Sequence, residues 1–151
     1  AVRSVWPEDY PLWVRISATD WVEHLSVPSW TLDDSVRLSE LLKKAGVDVV
    51  DVSSGGNTPE QKITPSPGYQ VPFAKTIREK TGIATAAVGL ITEPQQAEQI
   101  LQDGKADFIA MARGLLRHPY WPLHAADALG AEVPWPSQYE RAKQPASLRT
   151  R

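Results

Sequence analysis

Two short stretches of this 151-residue chain place glycine and arginine where a bound anion can be held. In Val88-Gly89-Leu90-Ile91-Thr92 an apolar run ends in glycine, and a threonine able to cap a helix follows. Glycine lets a backbone amide approach an anion closely, and the dipole of the next helix adds positive potential. Ala112-Arg113-Gly114-Leu115 repeats the arrangement at the end of the following apolar run, with a guanidinium added. Each stretch also has a plainer reading. Gly89 can simply make the turn, and Arg113 can pair across a rim. Two such stretches on adjacent strands favour phosphate. A further cation, Arg15, lies inside the run Leu12-Trp13-Val14-Arg15-Ile16. A buried guanidinium is costly unless it is paired or faces an anionic ligand. Asp20, Asp48 and Asp51 are the candidate structural partners, and a ligand is the alternative. Period-two alternation sets Arg15 on the face opposite Val14 and Ile16, and that face is the inside of a barrel if those two pack on helices.

Other chemistry-bearing residues give weaker signals. The histidines stand at 24, 118 and 124, and no pair has the spacing of a HExxH-type metal site. There is no cysteine, which excludes disulfides, thiolate chemistry and Cys-ligated metals. Tyr139-Glu140-Arg141 lies in a tail rich in proline and tryptophan. Trp135 and Tyr139 can staple that tail to the body, or the tail can reach a neighbouring subunit.

Positioning these residues requires a particular order of elements. Leu12–Ile16 reads as a buried strand. A helix capped at Thr31 or Asp33 runs to Ala45, with Gly46 beyond its end. Val47–Val52 is the second strand, ending in Ser53-Ser54-Gly55-Gly56. A polar loop then leads to a helix over Val71–Lys80, stopped by Thr81-Gly82. Ile83–Val88 is the third strand, and Thr92 caps a helix with Pro94 in its first turn. Ala106–Ala112 is the fourth strand. A short helix over Arg113–Leu116 and a second helical stretch at Ala125–Leu129 follow. Strands alternating with helices imply a parallel sheet with right-handed crossovers. A doubly wound sheet fits this order as well. Arg15, Ser53, Gly89 and Arg113 all fall at or just past successive strand ends. In a barrel those ends share the face that carries the active site. The fold expected is therefore α/β, four βα units forming half of a (β/α)8 barrel.

Composition narrows the partners. Sixteen basic and eighteen acidic residues leave a net charge of −2, which offers no pull toward nucleic acid or an anionic membrane. No apolar run approaches the ~20 residues of a membrane span. The N-terminal AVRSVWPEDY does not read as a signal peptide. A cytoplasmic location is the expectation.

Six stretches carry a resemblance, in this order: PLWVRISATDW, GVDVVDVSSGG, PGYQVPFAKTIR, AVGLIT, ADFIAMARGLLRHPYW and WPSQYERA. Together they resemble the Old Yellow Enzyme family, in its shorter thermophilic-like branch, from about Val2 to Ala142. The resemblance implies that the chain is the C-terminal half of a (β/α)8 TIM barrel, with flavin mononucleotide (FMN) at the barrel's C-terminal face. It also implies NADPH or NADH as reductant and an α,β-unsaturated carbonyl as the substrate whose C=C bond is reduced. It assigns Arg15 to the flavin ring, Ser53 to the ribityl chain or phosphate, and Gly89, Ala112 and Arg113 to the phosphate. The family has Gly-Arg where this chain has Ala112-Arg113, which leaves the backbone contact with less room. Arg141 matches the residue that reaches a partner subunit's active site. The substrate-binding pair and the tyrosine proton donor belong to the other half of the barrel, and no stretch here corresponds to them. No catalytic residue is therefore expected in this chain. Residues 1–142 are expected to form the half-barrel, with 143–151 a disordered tail. The expected partners are a missing N-terminal half-barrel or a second copy, in a homo-oligomer. The other reading is a non-enzymatic half-barrel that binds phosphate or self-associates, because four strands leave two open edges and an uncovered face.

Overall fold

The computed structural model describes residues 1–143; residues 144–151, most of the expected tail, lie outside the described residues. Four strands, β1 (Trp13–Ser17), β2 (Val49–Ser53), β3 (Ala84–Ala87) and β4 (Phe108–Ile109), form one sheet in the order β1-β2-β3-β4. All three pairings are parallel. The connections carry α1 (Leu32–Lys44), α2 (Val71–Thr81) and α3 (Pro94–Gln102), and β4 is followed by α4 (Arg113–Arg117) and α5 (Trp121–Leu129). Short 3-10 turns occupy Val2–Ser4, Glu23–Leu25 and Ser137–Ala142. This is the half of a (β/α)8 barrel that the sequence predicts. Among the described residues no helix is long and apolar enough to cross a membrane.

Local chemistry explains most element ends. Thr31 caps α1 in a capping box: its hydroxyl accepts from the Asp34 amide, and the Asp34 carboxylate accepts from the Thr31 amide. The Thr31 hydroxyl, which donates to Asp34 Oδ2 at 2.6 Å, and then the Thr31 amide hold the Asp34 carboxyl below its ordinary range. Gly82, at φ 61°, ends α2 in the left-handed region that glycine enters without strain. The expected cap of α3 differs. Glu93 occupies the cap position and Thr92 lies one residue earlier, its hydroxyl turned to the Glu93 carboxylate. Helix α5 begins at Trp121 rather than Ala125, with Pro122 in its first turn, where a missing amide proton costs nothing. Strand β4 is far shorter than 106–112. The Asp107 carboxylate, held by Arg78, takes the Thr85 amide that a backbone carbonyl would otherwise use. Backbone bonds from Asp107 to Thr85 (2.9 Å) and from Ala110 to Ala87 (2.8 Å) continue the pairing beyond it.

Register sorts the strand residues onto two faces. Ile16, Val50, Val52 and Ala87 point outward and join Val36, Val71, Ala74, Ile77, Ala97 and Ile100 in the core between sheet and helices. Complete burial of Val50, Val52 and Ile77 stabilises the fold by roughly 1.5–3 kcal/mol each. The inner face carries Trp13, Arg15 and Ser17 from β1, Val49, Asp51 and Ser53 from β2, Ala84 and Ala86 from β3, and Phe108 from β4. Three strand spacings separate β1 from β4, about 14 Å in a flat sheet. Yet the Trp13 and Phe108 ring centroids lie 4.9 Å apart. The sheet is therefore strongly curved, as a barrel wall must be. The two rings close over its hollow, and Val49 and Ala86 are buried although among the described residues there is one sheet only.

Candidate functional site

The strand ends are tied together by side chains from the loops. At the end of β1 the Ser17 hydroxyl donates to the Gly55 carbonyl at 3.1 Å. Past β2, the Ser54 hydroxyl donates to Gln70 Oε1 at 2.6 Å, and Gln70 Nε2 donates to the Val88 carbonyl at 3.0 Å. Gln70 is thus a buried brace between two strand ends. The Gly68 amide also donates to the Gly89 carbonyl at 2.9 Å. Gly89 itself has φ 119°, and a Cβ there would lie 2.7 Å from Gln70 Nε2 and 3.0 Å from a Tyr69 ring carbon. Both the conformation and the space demand glycine. Leu90 follows at φ 51°. Successive unusual dihedrals of this kind turn backbone amides into an anion-binding concavity.

Beside this turn lies a cavity of about 260 Å³ whose wall includes Ser53, Gly89, Ala112, Arg113, Gly114 and Arg117. Four of the five residues assigned to a cofactor from sequence thus meet in one place. The first intrahelical bond of α4 runs from the Leu116 amide to the Ala112 carbonyl, so the amides of residues 113–115 have no partner within the helix. No aspartate or glutamate contributes to the wall. A larger cavity, about 550 Å³, opens between α2 and α3 on the outer, helix-covered side. It holds none of these groups, and chemistry rather than size identifies the site.

Arg15 stands apart. It lies on the inner face as alternation predicts, but its side chain is 54% exposed rather than buried. Among the described residues no strand stands opposite the inner face, so water reaches the guanidinium. Its Nε donates to Asp51 Oδ2 at 2.9 Å, on the facing register position of β2. Of the three carboxylates considered, Asp51 is the partner. Asp48 is held by Arg3 at 2.6 Å, and Asp20 accepts from the Trp30 amide and the Asn57 side chain. Asp51 Oδ1 is buried without a hydrogen-bond partner. A buried carboxylate oxygen without a partner has capacity for one more donor.

Arg141 is exposed in the last 3-10 turn and takes no part in the wall of the anion cavity. That turn is fastened by Tyr120 and Tyr139, whose rings meet edge to face and whose hydroxyls lie 3.1 Å apart. The contact raises the Tyr120 hydroxyl above its ordinary pKa. His118 and His124 line a separate cavity beside α5, and His24 lies in an exposed turn. Among the described residues no group of three His, Cys, Asp or Glu can hold a metal ion. Sequence reasoning missed Gln70, Leu90 and Arg117. Only Arg117 had a readable signal, since it follows Arg113 by four residues and shares its helix face.

Parallel βα units in one strongly curved four-stranded sheet define half of a (β/α)8 barrel. Residues 1–132 match the NADH:flavin oxidoreductase / NADH oxidase family, and the chain belongs to it. It is 52% identical over 141 residues to an NADPH dehydrogenase of Geobacillus sp. (strain WCH70), covering 93% of this chain and 39% of the relative. A second NADPH dehydrogenase, from Halalkalibacterium halodurans, is 50% identical over 141 residues, covering 93% of this chain and 40% of the relative. The chain thus spans about two fifths of the length of these relatives. Among solved structures, a 2-naphthoyl-CoA reductase complex superposes with a TM-score of 0.71 at 20% identity, over 86% of this chain and 20% of that one. Xanthomonas albilineans dihydropteroate synthase superposes with a TM-score of 0.51 at 18% identity, over 89% of this chain and 51% of that one. Those two likenesses concern the fold.

Proposed function

We propose that this chain is the FMN-phosphate-holding half of an NAD(P)H-dependent oxidoreductase that reduces the C=C bond of α,β-unsaturated carbonyl compounds, and that it is inactive alone. The observation that carries the reading is the convergence of Ser53, Gly89, Ala112 and Arg113 on one cavity without a carboxylate in its wall. The residues fit a phosphate monoester. Gly89 keeps side-chain atoms out of the turn, the first-turn amides of α4 are available as donors, and Arg113 adds charge. Ala112 in place of the family's glycine leaves the amide contact possible. Ser53 is assigned to the ribityl chain or the phosphate.

When bound, FMN supplies hydride transfer between the nicotinamide and the substrate. The protein's part on this chain is binding and electrostatics. Arg15, assigned to the flavin ring, offers a positive charge for the ring edge that gains electrons. Asp51 holds Nε, which fixes the direction in which the rest of the guanidinium points. Arg141 is assigned to a partner subunit's substrate site. The proton donor and the substrate-binding pair would come from the other half-barrel, which would also cover Trp13, Phe108 and the orphaned Asp51 oxygen. In this reading residues 1–142 are one unit, and its partner is that half-barrel or a second copy within a homo-oligomer.

The test is reconstitution. The chain is purified with and without a separately expressed first half from a relative, then assayed for flavin absorbance and for NADPH oxidation with an enone. Flavin binding by the pair and turnover only by the pair is the expected result. A second reading, a non-catalytic half-barrel that binds phosphate or self-associates, is favoured by the exposed Trp13 and Phe108 rings and the open strand edges. Colourless protein with or without the first half, together with self-association in sedimentation, would select it.

A further inference from the structure

We propose that Arg117 is a second guanidinium of the anion cavity, and that together with Arg113 it selects a doubly charged phosphomonoester over an uncharged terminal hydroxyl. The inference rests on the FMN reading above and adds a specificity residue to it. Arg113 and Arg117 open and close the five-residue helix α4. Residues four apart lie on one helical face, and both of these contribute to the same cavity wall. Both are exposed, and among the described residues neither guanidinium is engaged by a carboxylate, carbonyl or hydroxyl. Every other wall residue is uncharged.

Two unpaired like charges four apart on one short helix repel each other weakly, and an anion held by both relieves that repulsion. A single guanidinium balances a monoanion. A phosphomonoester near neutral pH carries between about 1.5 and 2 negative charges, so it matches two. Arg117 also borders the neighbouring cavity, of about 460 Å³, whose wall holds Glu93. That carboxylate already accepts from the Thr92 hydroxyl at 3.2 Å. Arg117 is thus placed at the wall between the two spaces, and the negative charge of a phosphate on one side outweighs that of a single exposed carboxylate on the other. Because the side chain is exposed and makes no bond within the described fold, its removal should leave folding intact.

The experiment compares the full chain, reconstituted with the separately expressed first half, with its Arg113→Ala, Arg117→Ala and Arg117→Lys forms. Each is titrated with FMN, riboflavin and inorganic phosphate, by flavin fluorescence and calorimetry, and each is melted. Arg117→Ala should lose FMN affinity about tenfold, the loss of one charge-assisted contact. It should bind riboflavin as before, bind phosphate more weakly, and melt with the parent. Arg117→Lys should recover part of the FMN preference. An unchanged FMN-to-riboflavin ratio in Arg117→Ala, with the ratio collapsed in Arg113→Ala, overturns the proposal and leaves the flavin reading standing. Phosphate uptake that depends on Arg117, without uptake of either flavin, keeps the dianion site and removes the flavin reading. No uptake of any of the three probes overturns both.

Discussion

The two ends of the proposed flavin site are built to different degrees. At the phosphate end every supporting part lies within this chain: the Gln70 brace, the Gly89 turn, the short helix and its arginines. At the ring end only one wall exists. Arg15 is open to water, Asp51 keeps an unsatisfied oxygen, and two aromatic rings fold over the hollow. The difference teaches where preorganisation resides. Phosphate binding can be a property of four strands, whereas ring binding needs a wall on both sides.

The comparison breaks most sharply at Gly89. Gly89→Val forces a β-branched residue to φ 119° and against Gln70, so it should destabilise the chain by about 3 kcal/mol or more. Urea denaturation of the two proteins measures it; equal midpoints would show that the turn is not the rigid part. Next in size is Arg113→Ala, expected to weaken FMN binding by about 1.5 kcal/mol or more through loss of a charge-assisted contact, with stability unchanged. Flavin titration decides, and retained affinity removes Arg113 from the site. At the other end, Trp13→Ala takes away the stack with Phe108 and should cost about 1 kcal/mol in thermal melting. A cost several times greater would mean that the hollow is sealed rather than loosely covered. The smallest effect belongs to Arg15→Met. An exposed ion pair contributes less than about 1 kcal/mol, so the flavin-free chain should melt almost as before. If Arg15 serves the flavin, the reduction potential of the reconstituted holoprotein should fall. A mutant that melts much earlier yet keeps the parent potential would assign Arg15 to the fold instead.

What the sequence revealed depended on whether a signal was local. The parallel order was legible because Leu12–Ile16, Val47–Val52 and Ile83–Val88 are apolar runs separated by helix-length periodic stretches. Helix α1 was legible to within a residue, since Thr31 and Gly46 mark its ends chemically. Strand β4 was not: ADFIAMA has the composition of a full strand, but its length is decided by the Asp107 carboxylate, which Arg78 holds and which takes the Thr85 amide. The convergence of Ser53, Gly89, Ala112 and Arg113 followed from strand ends sharing one face. Gln70 escaped notice because a glutamine in a loop carries no pattern, and its role exists only where two strand ends come within reach of one side chain. Arg15 was placed on the correct face by alternation. Its exposure was misjudged because an apolar neighbourhood in sequence does not guarantee a cover in space.

The strand order has a consequence for how such a chain is made. Every strand pairs with the one immediately before it in sequence, and none is inserted between two earlier ones. A chain leaving the ribosome at roughly 5–20 residues per second therefore meets a finished neighbour each time a new strand emerges. Closing the intervening connection costs entropy that rises only as the logarithm of its length. The sheet can grow vectorially, one βα unit at a time, and translation stopped between units leaves a shorter sheet with the same pairing rather than a gap. Growth of this kind adds only at the edge made last, which in the finished sheet is β4.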